Sequence, residues 1–142
     1  MGERNWRELK LRTGKVPERD GCAWTPVYEF LTPGKTYRLE ADQKWTPEIS
    51  GECTADGNPD TKRSDDLLLP GTAAGALIAK IGGSTADLKV DKDKVPLFAA
   101  GRYCVFTVES GKVGALYLGV NDTNTAAFKV TGNLTVKLWE AL

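Results

Sequence analysis

Apolar residues recur at every second position in several short runs, and no run shows the three- and four-residue spacing of a helix face. Leu134, Val136 and Leu138 alternate with Thr135, Lys137 and Trp139. Successive side chains of a strand point to opposite sides, so this run predicts a half-buried carboxy-terminal strand with Thr135, Lys137 and Trp139 on its other face. Leu116, Leu118 and Val120 repeat the period, as do Cys104, Phe106 and Val108. Glu109-Ser110-Gly111-Lys112 between those two runs has hairpin length, which predicts that the two strands pair antiparallel. Tyr37, Leu39 and Ala41 predict a strand after Pro33-Gly34, a type II turn signature. Leu77, Ala79 and Ile81 predict another before Gly82-Gly83-Ser84. Short strands cut by fifteen glycines and seven prolines together predict an all-β chain folded as an antiparallel β-sandwich.

The interval from Pro47 to Gly71 breaks this pattern, with six acids against Lys62 and Arg63 and no periodic apolar face before Leu67-Leu68-Leu69. It predicts a long loop on the sandwich rim, and long structureless connections are where sites concentrate. Asp87 to Lys94 alternates acid and base and reads as a solvated connection. A chain of 142 residues suits one domain. Residues 21–142 are assigned to it, while residues 1–20 form either an edge strand around Leu9 and Leu11 or an amino-terminal arm.

Composition then narrows the function classes. A hydrophobic fraction of 41% with 27% charged residues belongs to folded chains. Nineteen basic residues balance nineteen acidic ones, so no global field gathers phosphates and no nucleic-acid partner is expected. Histidine is absent, which excludes Ser-His and Cys-His dyads, HExxH zinc sites and His-ligated haem. Cys22, Cys53 and Cys104 are odd in number and lack CxxC spacing; free thiols and a reducing compartment are expected. The amino terminus has no apolar core of signal-peptide length, which points to a cytoplasmic location. The most apolar stretch, Leu97 to Val108, is interrupted by Gly101 and Arg102 and is too short for membrane insertion.

Two polar clusters invite chemistry. Asp56, Asn58 and Asp60 have the 1, 3, 5 spacing that opens a calcium loop, yet Thr61 replaces the glycine and Leu67 the closing glutamate. An Asx-rich turn is the simpler reading. Asn121-Asp122 ends the apolar strand Ala115 to Val120, where a polar pair either starts a turn or lines a site.

The ordered set Trp24, Pro33-Gly34, Trp45, Asp56-Gly57, Gly75-Ala76-Leu77-Ile78-Ala79-Lys80-Ile81-Gly82, Gly114-Ala115-Leu116-Tyr117-Leu118, Asn121-Asp122 and Thr131-Gly132-Asn133-Leu134-Thr135-Val136 resembles the PA-I galactophilic lectins of bacteria and their lectin-like relatives. The resemblance spans roughly residues 22 to 138. It implies a jelly-roll sandwich of galactose-binding-domain-like type that binds galactose through one calcium ion. Asp122 stands at the family's aspartate ligand and Thr131-Gly132 at its Ser-Gly. Counted from that anchor, the threonine ligand falls on Ala126 and the Asn-Asn pair on Lys129 and Val130. The implied calcium site is therefore degenerate, with Lys129 as a replacement cation paired to Asp122, and no cofactor is expected. The carbonyl ligand would come from Trp45 to Gly51. The family's His-Pro-Asp-Gln stretch maps to Asn58-Pro59-Asp60-Thr61, or without a gap to Lys62 to Asp65, and its histidine is missing in both.

The implied function is a non-catalytic, carbohydrate-binding module for a saccharide or glycoconjugate. Its candidate residues are Trp45, Asn58, Asp60, Asp65, Asn121, Asp122 and Asn124. The alternative is an accessory domain on a lectin scaffold that contacts protein and has lost sugar binding. Self-association is open in both. An enzyme would have to rest on Asp60 or Asp65 with Asp122, without an activated nucleophile.

Overall fold

The computed structural model describes residues 5–18, 24–60, 67–82, 97–109, 114–123 and 129–142. The chain is all-β, and no helix among the described residues is long and apolar enough to cross a membrane. Its strands are β1 (Trp6–Glu8), β2 (Lys15–Val16), β3 (Trp24–Tyr28), β4 (Thr36–Asp42), β5 (Thr46–Pro47), β6 (Leu77–Ile81), β7 (Phe98–Ala99), β8 (Tyr103–Thr107), β9 (Leu116–Val120), β10 (Val130–Thr131) and β11 (Leu134–Ala141). One sheet runs β1-β11-β4-β8, with β2 also on β11; the second runs β3-β9-β6-β7, and β5 with β10 makes a small ribbon. All the pairings are antiparallel.

The alternation read from the sequence is what divides inside from outside. In β11, Leu134, Val136 and Leu138 are buried while Thr135 and Lys137 are exposed, and β4 buries Tyr37, Leu39 and Ala41 in the same way. These side chains join Leu77 of β6 and Leu116 and Leu118 of β9 in one apolar cluster between the two sheets. Tyr37 stacks on Phe106 at 5.6 Å, and Phe106 meets Phe98 of the other sheet at 5.4 Å, which joins the layers along the β7/β8 side. Glu140 continues the inward face of β11 but is 5% exposed, held by Arg7 and by Lys35 at 3.1 Å. The Pro33-Gly34 turn forms as expected: Lys35 N–H donates to Thr32 O at 3.1 Å, with Gly34 at φ 84°.

Two sequence expectations change. Cys104–Val108 and Leu116–Val120 do not form a hairpin, because β8 pairs with β4 in the first sheet whereas β9 lies between β3 and β6 in the second. The connection crosses from layer to layer, and a short polar link between alternating runs is the same in either case. At the amino terminus, the edge strand is formed by residues 6–8 and 15–16, both paired with β11, and the segment between them swings out. Leu9 and Leu11 pack there against the core, and Arg12 N–H reaches Val27 O of β3, so this segment covers the open side of the sandwich. The expected connection Asp87 to Lys94, and Cys22, lie outside the described residues; Cys53 and Cys104 are free thiols.

Candidate functional site

The loops singled out by sequence are held together by their own polar groups. Asn121 is fully buried: its Oδ1 accepts from Leu69 N–H at 2.9 Å, and its Nδ2 donates to the carbonyls of Leu69, Thr72 and Ala73 at 3.0–3.2 Å. The side chain is a pin for residues 69–73. Trp45, expected to contact sugar, is 1% exposed and donates through Nε1 to Gly75 O at 3.0 Å, so its ring belongs to the core and offers no face to a ligand. Asn58 donates to Ser50 O at 2.8 Å and accepts from Asp60 N–H at 3.0 Å, the Asx turn that the Asp56, Asn58, Asp60 spacing allowed. Asp60 is exposed. Asp65 and Asn124 lie outside the described residues, as does Ala126.

Asp122 is 3% exposed, and its Oδ1 accepts from Thr123 N–H at 2.6 Å. Burial pushes its carboxyl above the ordinary value of 3.8; the Thr123 N–H opposes the shift and nearby Glu48 adds to it. The expected ion pair with Lys129 is not formed: Lys129 is exposed and bonds Glu48 N–H only through its backbone carbonyl. A calcium ion needs about six to eight oxygens. Here Ala126, Lys129 and Val130, at the implied threonine and Asn-Asn positions, have no side-chain oxygen to give. These residues do not fit the implied ion.

A different site emerges on the outer face of the first sheet, where a cleft of about 910 Å³ crosses β11, β4 and β8. The register places Lys137 of β11 opposite Glu40 of β4, and Glu40 opposite Tyr103 of β8. One row therefore carries a cation, a carboxylate and an aromatic ring. Trp139 lines one part of the cleft. The Arg38 guanidinium lies 4.2 Å from the Trp139 ring centre and 5.1 Å from that of Trp6, and such contacts hold the indole in place. Tyr103 is 60% exposed. Beyond the end of β4, Asp42 Oδ1 accepts from Gln43 N–H at 2.7 Å, and Gln43 sits at φ 73°, the positive-φ non-glycine among the described residues. Strained backbone of this kind gathers at ligand sites. Asp56, from the acidic loop, accepts from Arg102 N–H at 3.0 Å. Gly101 beside Arg102 sits at φ 60°, in the left-handed region that favours glycine, and a Cβ there would stand 2.8 Å from that Asp56 oxygen.

Of the sequence candidates among the described residues, then, the structure gathers none into this cleft; Asp56, read in the calcium-loop spacing and in the lectin-like ordered set, lines it. Trp139 and Lys137 were already legible as the polar face of the last strand, and that was the available signal. Compared with known proteins, the chain matches no family model and no curated protein.

Proposed function

We propose that this chain is a non-catalytic saccharide-binding module of lectin-like type, and that its sugar site is the cleft on the outer face of the first sheet. The observation that carries the reading is the grouping of Trp139 and Tyr103 with Glu40, Asp42, Asp56, Arg102 and Lys137 around one hollow. A pyranose has an apolar C–H face and a rim of hydroxyls, each both donor and acceptor. Aromatic rings cover such a face, and carboxylates and guanidinium bond neighbouring hydroxyls as acceptors and donors. The volume suits a ligand of small-molecule size. Three carboxylates against two cations leave the cleft near neutrality, which favours an uncharged sugar.

Topology supports the lectin-like part. With β1 and β2 counted as one interrupted strand and the β5/β10 ribbon set aside, eight strands run 1-8-3-6 in one sheet and 2-7-4-5 in the other. We read that order as a jelly roll of eight strands in two sheets. Galactose-type sugars are accordingly the first ligands to test, and calcium is not required, because the cleft supplies its own polar groups. A second reading, an accessory domain without sugar, draws on Asn121, Trp45 and Asn58 being committed to the scaffold.

Glycan-array binding with and without calcium tests the proposal. Binding to neutral glycans, unaffected by chelator and lost in Trp139→Ala and Asp42→Ala with the fold intact, is expected. No binding to any glycan, or binding that survives both substitutions, refutes the cleft and leaves the accessory-domain reading.

A further inference from the structure

The cleft on the first sheet is longer than a single sugar ring. Thr135, Lys137 and Trp139 stand at alternate positions of β11 and all line it, as do Glu40 and Asp42 of β4. Four residues of strand separate Thr135 from Trp139, so at a rise of about 3.4 Å per residue the cleft extends about 14 Å along the sheet. Across the sheet it reaches from β11 over β4 to Tyr103 of β8, two strand spacings or about 10 Å. Its volume of about 910 Å³ lies near the top of the roughly 300–1,000 Å³ range of small-molecule sites. One hexose fills a small part of that space.

The lining changes along this length. At one end stands Trp139, with the Arg38 guanidinium 4.2 Å from its ring centre and Arg38 Nε 3.4 Å from Glu40 Oε2. Lys137, Glu40 and Tyr103 make the middle row. The far end is polar: Thr135 lies opposite Asp42, Gln43 follows, and Asp56 and Arg102 join them. Asp42 and Asp56 each give Oδ1 to a backbone N–H, that of Gln43 at 2.7 Å and that of Arg102 at 3.0 Å. Those bonds fix the carboxylates, and each carboxylate has a second oxygen that can accept from a hydroxyl with little further ordering. Trp139 is opposite Arg38, four residues before Asp42 on β4, so the Cα atoms of Trp139 and Asp42 are about 14 Å apart. A single ring seated on Trp139 leaves the polar end without a ligand group. A ring at the polar end leaves the indole uncovered.

We propose that the cleft takes a run of linked neutral sugars, with one pyranose on Trp139, the next beside Tyr103, Glu40 and Lys137, and a third among Thr135, Asp42, Gln43 and Asp56. This inference rests on the saccharide reading and names the class of saccharide: an oligosaccharide chain rather than a lone terminal residue. Each unit adds its own ring contact or hydrogen bonds. The loss of translational and rotational freedom is incurred once for the whole chain, so affinity climbs with length until the cleft is full.

Titration calorimetry of the full chain compares galactose with its β-1,4-linked di-, tri- and tetrasaccharides, and glucose with the same series. At one net hydrogen bond per unit, affinity in one of the series is expected to rise about two- to twelvefold with each sugar up to the trisaccharide, and little beyond it. Asp56→Ala removes a ligand group from the polar end and is expected to flatten the last step, so that the trisaccharide binds that variant no more tightly than the disaccharide does. Asp56 is exposed, and water takes over its bond to Arg102 N–H, so the fold is retained, as far-ultraviolet circular dichroism verifies. A monosaccharide that binds as tightly as the trisaccharide, a last step that survives in Asp56→Ala, or no binding in either series overturns the proposal. The saccharide reading itself is decided by the glycan array, which keeps the two failures apart.

Discussion

Truncating Asn121 to alanine separates a structural pin from a sugar ligand. The side chain is fully buried and makes four hydrogen bonds to the backbone of residues 69–73. Asn121→Ala removes all of them and leaves the Leu69 N–H and three carbonyls without that partner. Each intramolecular hydrogen bond contributes about 0.5–1.5 kcal/mol, and a buried group left unpaired costs about 1–3 kcal/mol. The carbonyls keep a second lone pair and face a loop that water can enter, so the low end applies to them. A loss of about 3–5 kcal/mol follows, a large share of the roughly 5–15 kcal/mol of a typical fold. An unfolding entropy of about 2.1 cal/mol/K per residue makes each kcal/mol worth about 3–4 °C in a chain of this length, so Tm should fall by about 10–17 °C. Thermal unfolding followed by circular dichroism, with a urea titration for the free energy, reads both. Asn121→Asp should be nearly as harmful, because it keeps the acceptor but turns a carboxylate toward carbonyl oxygens. A loss below about 1 kcal/mol would refute the pin. Reduced sugar affinity at unchanged stability would return Asn121 to the ligand set.

Two further perturbations report on Asp122 and Gln43. Because burial raises the Asp122 pKa, the folded state binds its proton more tightly than the unfolded state, and the charged carboxylate weakens the fold above that pKa. Stability from this group should therefore rise as pH falls toward 3.8, and Asp122→Asn should raise Tm at neutral pH with the gain fading in acid; a lower Tm at neutral pH would mean that an unseen cation holds the carboxylate. Gln43→Gly relieves a left-handed backbone costing about 1–2 kcal/mol but gives the unfolded chain more entropy, so stability should change by less than about 1 kcal/mol. Saccharide affinity should fall in the same variant, and an unchanged affinity would remove Gln43 from the cleft.

How far the sequence could be read depended on whether a feature was local. Burial alternates within a strand, so Leu134, Val136 and Leu138 could be placed inside from their own neighbours alone. Partner choice is not local, and Glu109 to Lys112 reads alike whether it closes a hairpin or crosses between sheets. The same limit explains the site. Asn121, Asn58 and Trp45 carry the atoms of a sugar-binding loop, but those atoms also satisfy buried backbone, and only the positions of Leu69, Ser50 and Gly75 decide which they do. Lys137, Glu40 and Tyr103 lie far apart along the chain and become one row only when β11, β4 and β8 are adjacent. Trp139 was the exception available in advance: a large aromatic on the polar face of a strand has no core to fill. That position needs either a neighbour such as Arg38 to cover it or a ligand to cover what Arg38 leaves open.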